Sequence, residues 1–234
     1  MDRVNIILLG YKAHSGKDTL ADYLEEEKGF IKYSFAKKLK SVVADLYGFT
    51  HEQMYGELKN VPDPRYIKSR DKEKIMLFPV KYYNNDNNWY ILRSGRTTND
   101  EGEECGYIFE SYTPREILQD FGQEQRKRFP DIWADYVCRG IVAHHKATLY
   151  FDYVISDFRF PNEYEVCKRY SYNNNWNVIP IRIDRLDELR GDFAGANNIS
   201  ETALDDFSHW KYYINNDATI EDLYKRYNEI VKLD

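Results

Sequence analysis

The residues whose types and spacing promise the most chemistry are Ser15-Gly16-Lys17-Asp18-Thr19, which follow the loop Gly10-Tyr11-Lys12-Ala13-His14. A lysine directly after a glycine, followed by two oxygen-bearing side chains, suits a polyphosphate: Lys17 reaches the outer phosphates, and Asp18 and Thr19 supply oxygen to Mg²⁺. Backbone N–H groups left free where a loop enters a helix, with the helix dipole behind them, add further attraction for an anion. The pattern departs from the usual phosphate loop in two places. Tyr11 stands where the first glycine is expected, and Asp18 replaces the hydroxyl residue. A tight turn that merely contains Ser-Gly-Lys is the plainer alternative. The order of strand, loop, lysine and helix favours a nucleotide site.

Other candidates lie further along the chain. Asp157 and Arg159 end an apolar run at 151–156, and an acid at a strand's carboxyl tip can hold Mg²⁺ through water or orient an attacking group. Arg159, two residues on, can clamp a phosphate; a helix-capping acid is the competing reading for Asp157. Arg115, Gln119 and Arg126 share one side of a helix, where arginine's planar fork suits a phosphate and glutamine can pair with a base edge. Lys37, Lys38 and Lys40 fall just past a second strand, at the sheet edge where ligands bind, or else on a solvated helix face. Trp133 is either core or a base-stacking platform. Arg182, Arg185 and Arg190, followed by Gly191 and Gly195, fit a phosphate-clamping lid or an exposed loop. His144 and His145 lack a carboxylate or cysteine at ligand spacing, which argues against a metal there.

The elements that must position these groups read as an α/β chain. Val4–Leu9 is nearly all β-branched or apolar, as in a strand buried on both faces of a parallel sheet. Further strands are expected at 30–35, 151–156, 177–183 and 211–214, with Pro180 casting doubt on a central place for the fourth. Helix starts are marked by Thr50-His51-Glu52-Gln53, by Thr113-Pro114-Arg115-Glu116 and by Thr219, the last with Ile220, Leu223, Tyr227 and Ile230 expected to face inward. Residues 60–112 change character: three prolines and an Asn/Asp run leave room for hairpin strands at 81–83 and 89–92. Arg65, Arg70, Arg93 and Arg96 suit a substrate flap there, with a mobile insertion of no consequence as the alternative.

At 234 residues the chain suits one domain with an inserted segment, and a net charge of -6 argues against non-specific nucleic-acid binding. No apolar run reaches membrane-spanning length, so no membrane partner is expected. Cys105, Cys138 and Cys167 lack paired spacing, which favours neither zinc nor a disulfide and points to a reducing, cytoplasmic setting.

Taken together, six motifs resemble a family. Ser15–Thr19, Phe35-Ala36 with Leu39-Lys40, Thr113–Glu116 with Leu118-Gln119 and Gly122, Asp157 with Arg159–Glu163, Ser200–Leu204, and Asn216-Asp217 with Thr219-Ile220 are similar to the deoxynucleoside monophosphate kinases of bacteriophages and large DNA viruses. The likeness spans most of the chain except 60–112. Phosphomevalonate kinase, with a similar loop, is the nearest competitor, and a nucleotide-dependent binding module is a third reading.

The resemblance implies a three-layer α/β/α phosphate-loop kinase fold with about five parallel strands, a single domain over 1–234 with a flap at 60–112 and a lid at 185–198. It implies ATP- and Mg²⁺-dependent transfer to a deoxynucleoside monophosphate (dNMP), giving dNDP and ADP, in the cytoplasm of a host cell if the chain is viral, with a homodimer left open. It implies roles as well. Lys17 follows the migrating phosphoryl, with Lys12, Ser15, Gly16, Asp18, Thr19 and Arg185 around the nucleotide phosphates and Asn216 and Asp217 near adenine. Arg115 and Arg159, supported by Lys37 and Lys38, take the acceptor phosphate. Gln119 and Trp133 meet the base, and Asp18 and Asp157 the metal.

Overall fold

The structure, a computed structural model, describes residues 3–71, 75–79, 96–98, 102, 104–148, 151–190 and 198–232. The chain divides into two compact units, one formed by residues 1–39 and 125–234 and the other by 40–124. The expected strands at 81–83 and 89–92, and positions 191–197 of the expected lid, lie outside the described residues.

The first unit is built on a five-stranded sheet, all parallel. Its strands are β1 (Val4–Gly10), β2 (Ile31–Tyr33), β6 (Tyr153–Phe158), β7 (Trp176–Asp184) and β8 (Tyr212–Asn215), in the spatial order β2-β6-β1-β7-β8. β1 is fully buried because both its faces are covered. Ile6 and Leu8 point into one apolar cluster, Ile7 and Leu9 into the other, and every neighbouring strand splits its side chains the same way. The second cluster is closed by α1 (Lys17–Lys28) and the last helix, α9 (Ile220–Ile230). The first is closed by α5 (Ile132–Thr148) and α6 (Pro161–Asn174). The result is three layers with β1 at the centre. The strands added on either side of β1 come from later in the chain, so its carboxyl end is a topological switch point, where open α/β sheets bind ligands.

Pro180 sits in an inner strand, contrary to the expectation drawn from its missing N–H. Its carbonyl accepts from Lys211 on the β8 side, and β8 begins only at Tyr212, opposite Ile181. The absent donor therefore faces a level at which the neighbouring strand has not started. The last helix also differs from expectation: Leu223 and Tyr227 are buried, whereas Ile220 and Ile230 are exposed, one at each end beyond the reach of the sheet. Cys138 and Cys167, far apart in sequence, meet on facing helices with their sulfurs 3.6 Å apart and completely buried. Among the described residues no helix is long and apolar enough to cross a membrane.

The second unit carries the later turns of α2 (Phe35–Tyr47), α3 (His51–Tyr55), a three-stranded antiparallel sheet and most of α4 (Pro114–Arg128). The sheet joins β3 (Ile75–Pro79), β5 (Glu104–Phe109) and β4 (Arg96–Thr98) in that order. Both capping boxes read from the sequence form: Gln53 answers Thr50, and the Glu116 carboxylate accepts from Thr113 N while Glu116 N donates to Thr113 Oγ1. Arg65, read as a flap arginine, instead grips the buried Asp63 with Nε and Nη2, at 2.9 and 2.6 Å.

At the amino end of the first unit's sheet, buried Asn5 donates its backbone N–H and side-chain amide to the two oxygens of Asp152, at 2.7 and 3.0 Å. Replacing Asp152 with alanine strands both donors and is expected to lower stability by about 1–3 kcal/mol in urea unfolding.

Candidate functional site

Between β1 and α1 the chain takes positive φ at three residues: Tyr11 (94°), His14 (57°) and Gly16 (95°). This left-handed backbone is why a glycine is expected at position 11. A tyrosine there carries strain of roughly 1–3 kcal/mol. Its ring is held by Arg182, whose guanidinium carbon lies 3.7 Å from the ring centroid, and Arg182 is itself braced by Asp184 at 2.8 Å. Gly16 admits no side chain, since a Cβ would run into the amide of Asn216. That amide donates to the carbonyl of Ser15 at 3.0 Å, and Gly16 supplies no side-chain cap to α1. Asn216 thus fixes the shape of the loop at the start of α1, where a helix N-terminus favours an anion.

Lys17 reaches back into this loop. Its ammonium donates to the carbonyl of Lys12 and to Ser15 Oγ (3.2 Å), and only 5% of the residue is exposed. No carboxylate forms an ion pair with it among the described residues. Burial lowers its pKa to about 7, and nearby Arg159 pushes the same way, against Asp18, Glu201 and Asp157. A buried cation held by neutral oxygens beside a second cation is set up to receive negative charge.

The second cation belongs to a tight cluster. Arg159 Nη1 donates to the carbonyl of Tyr11 and to the Glu201 carboxylate, both at 2.8 Å. The other Glu201 oxygen accepts the loop amide of Ala13 at 2.7 Å, and Glu201 is 9% exposed. Glu163, wholly buried, takes the backbone N–H groups of Arg159 and Phe160, and burial raises its pKa to about 8. Arg126 stacks on the Phe160 ring with its guanidinium carbon 4.4 Å from the centroid, and makes no hydrogen bond among the described residues. Burial lowers the Arg126 pKa, against the opposing pull of the Glu163 and Asp157 carboxylates.

Several expected roles need correction. Asp157 does not stand free for a metal: one oxygen accepts Phe35 N at 2.8 Å, the other Ser34 Oγ and Ala36 N at 2.8 and 2.9 Å. It caps α2, which explains why that helix starts at Phe35 rather than one residue later. Asn216 braces the loop rather than facing a purine edge, and Asp217 accepts the backbone N–H of Leu186. Trp133 is 7% exposed, leaving too little ring surface for a base to stack on.

The remaining candidates are placed as follows. Asp18 is exposed at the first turn of α1, 4.0 Å from Lys32, and Thr19 beside it is half-buried. Lys12 pairs with Asp205 at 3.7 Å. Lys37 is exposed on α2, whereas Lys38 lies 5.9 Å over the ring of Tyr136. Arg185 is half-buried, and its Nε has no hydrogen-bond partner among the described residues. Among those residues no group of three or more His, Cys, Asp or Glu is arranged to hold a metal ion.

Arg115 and Gln119 belong to the second unit, half-buried on α4. That unit has a cavity of about 410 Å³ lined by Tyr47, Tyr66, Ile67 and Tyr112 and, on α4, by Ile117, Asp120, Phe121 and Glu124. At 100° per residue those α4 positions lie opposite Arg115 and Gln119. Among its described lining residues the cavity has two carboxylates and no cation, which does not suit a phosphate.

Sequence reasoning gives Glu201 and Glu163 no role at the site, whereas Arg126 is already a phosphate candidate on the helix side it shares with Arg115 and Gln119. Glu201 stands in the Ser200–Leu204 motif, and Glu163 ends the Arg159–Glu163 motif. Both signals were present, but neither says what the side chain meets.

No protein-family model matches this chain. A protein of Acanthamoeba polyphaga mimivirus named "putative deoxynucleotide monophosphate kinase" is 28% identical to it, over 95% of this chain and 93% of that protein. A likeness running the length of both chains supports a nucleotide kinase role.

The state of Lys17 has a measurable consequence. Above pH 7 the free protein holds this amine largely neutral, while a bound polyphosphate favours the ammonium and raises its pKa. At pH 8 tripolyphosphate binding is expected to take up a proton, seen by calorimetry in buffers of different ionisation enthalpy, and affinity should fall as pH rises from 7 to 9. Uptake that persists in Lys17→Met would assign the proton elsewhere.

Proposed function

We propose that this protein transfers the γ-phosphoryl group of ATP to a deoxynucleoside monophosphate, giving ADP and a dNDP, with Mg²⁺ as the counter-ion of the triphosphate. The observation that carries the reading is the Lys17 ammonium, buried at the start of α1 next to Arg159 and without a paired carboxylate among the described residues. The full-length likeness to the mimivirus protein supports the choice of substrate.

Phosphoryl transfer between two anions asks a protein for positioning and charge neutralisation more than for a nucleophile. In this proposal the loop amides and Lys17 hold the nucleotide phosphates, and Lys17 follows the phosphoryl group as charge develops on it. Arg159, with Nε and Nη2 unbonded among the described residues, faces the transferring group or the acceptor phosphate. Arg126 joins it, since a guanidinium stacked on Phe160 and without a hydrogen bond among the described residues has its fork to offer phosphate oxygens. Arg115 is assigned to the acceptor phosphate, with Lys37 and Lys38 in support, and Gln119 to the base.

The fit of Mg²⁺ rests on the oxygens at the first turn of α1. The exposed Asp18 carboxylate and the Thr19 hydroxyl would hold it, whereas Asp157, with both oxygens on α2, reaches it only through water. The ion neutralises charge on the triphosphate when bound.

The test is a panel of the four dNMPs, their ribose counterparts and mevalonate phosphate, each incubated with ATP and Mg²⁺ and followed by ADP release. Turnover with one or more dNMPs is expected. Release with no acceptor, or only with the mevalonate phosphate, rejects the proposal. Lys17→Ala is expected to lower kcat by about two orders of magnitude or more, on the scale of losing a charge-stabilising donor in the transition state, with the melting curve unchanged or raised. Arg126→Ala is expected to raise KM for the dNMP about tenfold or lower kcat by a similar factor, as the loss of one charge-assisted contact predicts.

A further inference from the structure

Glu201 is an acid set where an anion is to bind, and that needs a reason. It is 9% exposed, and each of its oxygens has a defined partner: Oε2 accepts Ala13 N–H at 2.7 Å, and Oε1 accepts Arg159 Nη1 at 2.8 Å. The same Nη1 donates to the carbonyl of Tyr11, the strained residue at the loop's entry. One guanidinium nitrogen and one carboxylate therefore tie three points together: the loop's entry, the loop's middle and the tip of β6. The consequence for Arg159 is directional. Its Nη1 is held from two sides, while Nε and Nη2 make no hydrogen bond among the described residues.

We propose that Glu201 is a positioning residue. By fixing Nη1 and the Ala13 amide together, it holds Arg159 so that the guanidinium's open edge meets the same phosphate chain as Lys17. The inference rests on the phosphate-site reading above, but not on which molecule accepts the phosphoryl group. A long, flexible arginine loses rotamer freedom when it grips a ligand, and a partner that has already immobilised it removes that cost from binding. The carboxylate's own charge repels the incoming anion. Its net effect is favourable only while Arg159 is present to be aimed.

That condition predicts opposite signs in two backgrounds. Tripolyphosphate affinity, measured by calorimetry at constant ionic strength, is expected to fall about tenfold in Glu201→Ala, comparable to losing one well-aligned charge-assisted hydrogen bond. In an Arg159→Ala background the same substitution is expected to leave affinity unchanged or raise it, because the acid's repulsion of the anion then offsets or outweighs what its remaining bond to Ala13 N–H does for the loop. Equal losses in both backgrounds would reduce Glu201 to general bracing of the loop and overturn the proposal. Tighter binding in Glu201→Ala alone would make it a competitor of the anion, and overturn the proposal too. Should Glu201→Ala not fold, Glu201→Gln serves instead, since the glutamine oxygen still accepts from Ala13 while the charge that aims Arg159 is gone; the same pattern of signs is expected. Tripolyphosphate binding requires no transfer, so a protein inactive on every acceptor would refute the kinase proposal and leave this comparison intact.

Discussion

A buried ammonium that pairs with no carboxylate among the described residues is the constraint on which the structure of the first unit depends. Removing Lys17 from water is costly, and the neutral oxygens of Lys12 and Ser15 compensate only in part. The fold tolerates the group because everything around it is fixed for other reasons. β1 is locked between two strands, α1 is packed on the far cluster, and the loop between them is pinned by Asn216 from one side and Glu201 from another. A flexible loop would swing the ammonium out to solvent and lose its attraction for phosphate.

The same logic explains the acids around the site. Asp157, Glu163 and Glu201 are close enough to Lys17 or Arg126 to influence them, yet each is already occupied by hydrogen bonds. Asp157 caps a helix, Glu163 takes two backbone amides at the start of another, and Glu201 holds the loop. Asp157 and Glu163 make no ion pair with the cations among the described residues, and Glu201 pairs with Arg159 through Nη1 alone, its other oxygen taking the Ala13 N–H. The positive charge stays available to a ligand, as phosphoryl transfer between two anions requires.

Strain is placed where function needs the backbone to bend. Tyr11 and His14 hold left-handed conformations that glycine would adopt freely, and the surrounding contacts compensate: Arg182 stacks on the Tyr11 ring while Arg159 takes its carbonyl. The departure from the usual loop pattern thus keeps the loop's shape and exchanges a small residue for an aromatic one with cationic neighbours.

Much of this was legible in the residues themselves, because it is local. The buried strand Val4–Gly10, the glycine before Lys17, the capping boxes at Thr50 and Thr113 and the proline at the start of α6 all depend on neighbours within a few positions, so spacing alone predicts them. The carboxyl-end placement of Lys17, Asp157 and Arg159 also follows from sequence, since each comes directly after an apolar strand. What only the tertiary structure decided is which group meets which across 29 to 201 residues of chain. It put Asp157 on α2 instead of a metal, Asn216 behind the loop, Trp133 in the interior, Cys138 against Cys167, and Glu201 between Ala13 and Arg159. A sequence states what a side chain can donate or accept. Its partner is chosen by the packing of distant elements, because a carboxylate takes whichever N–H groups the fold brings within 3 Å.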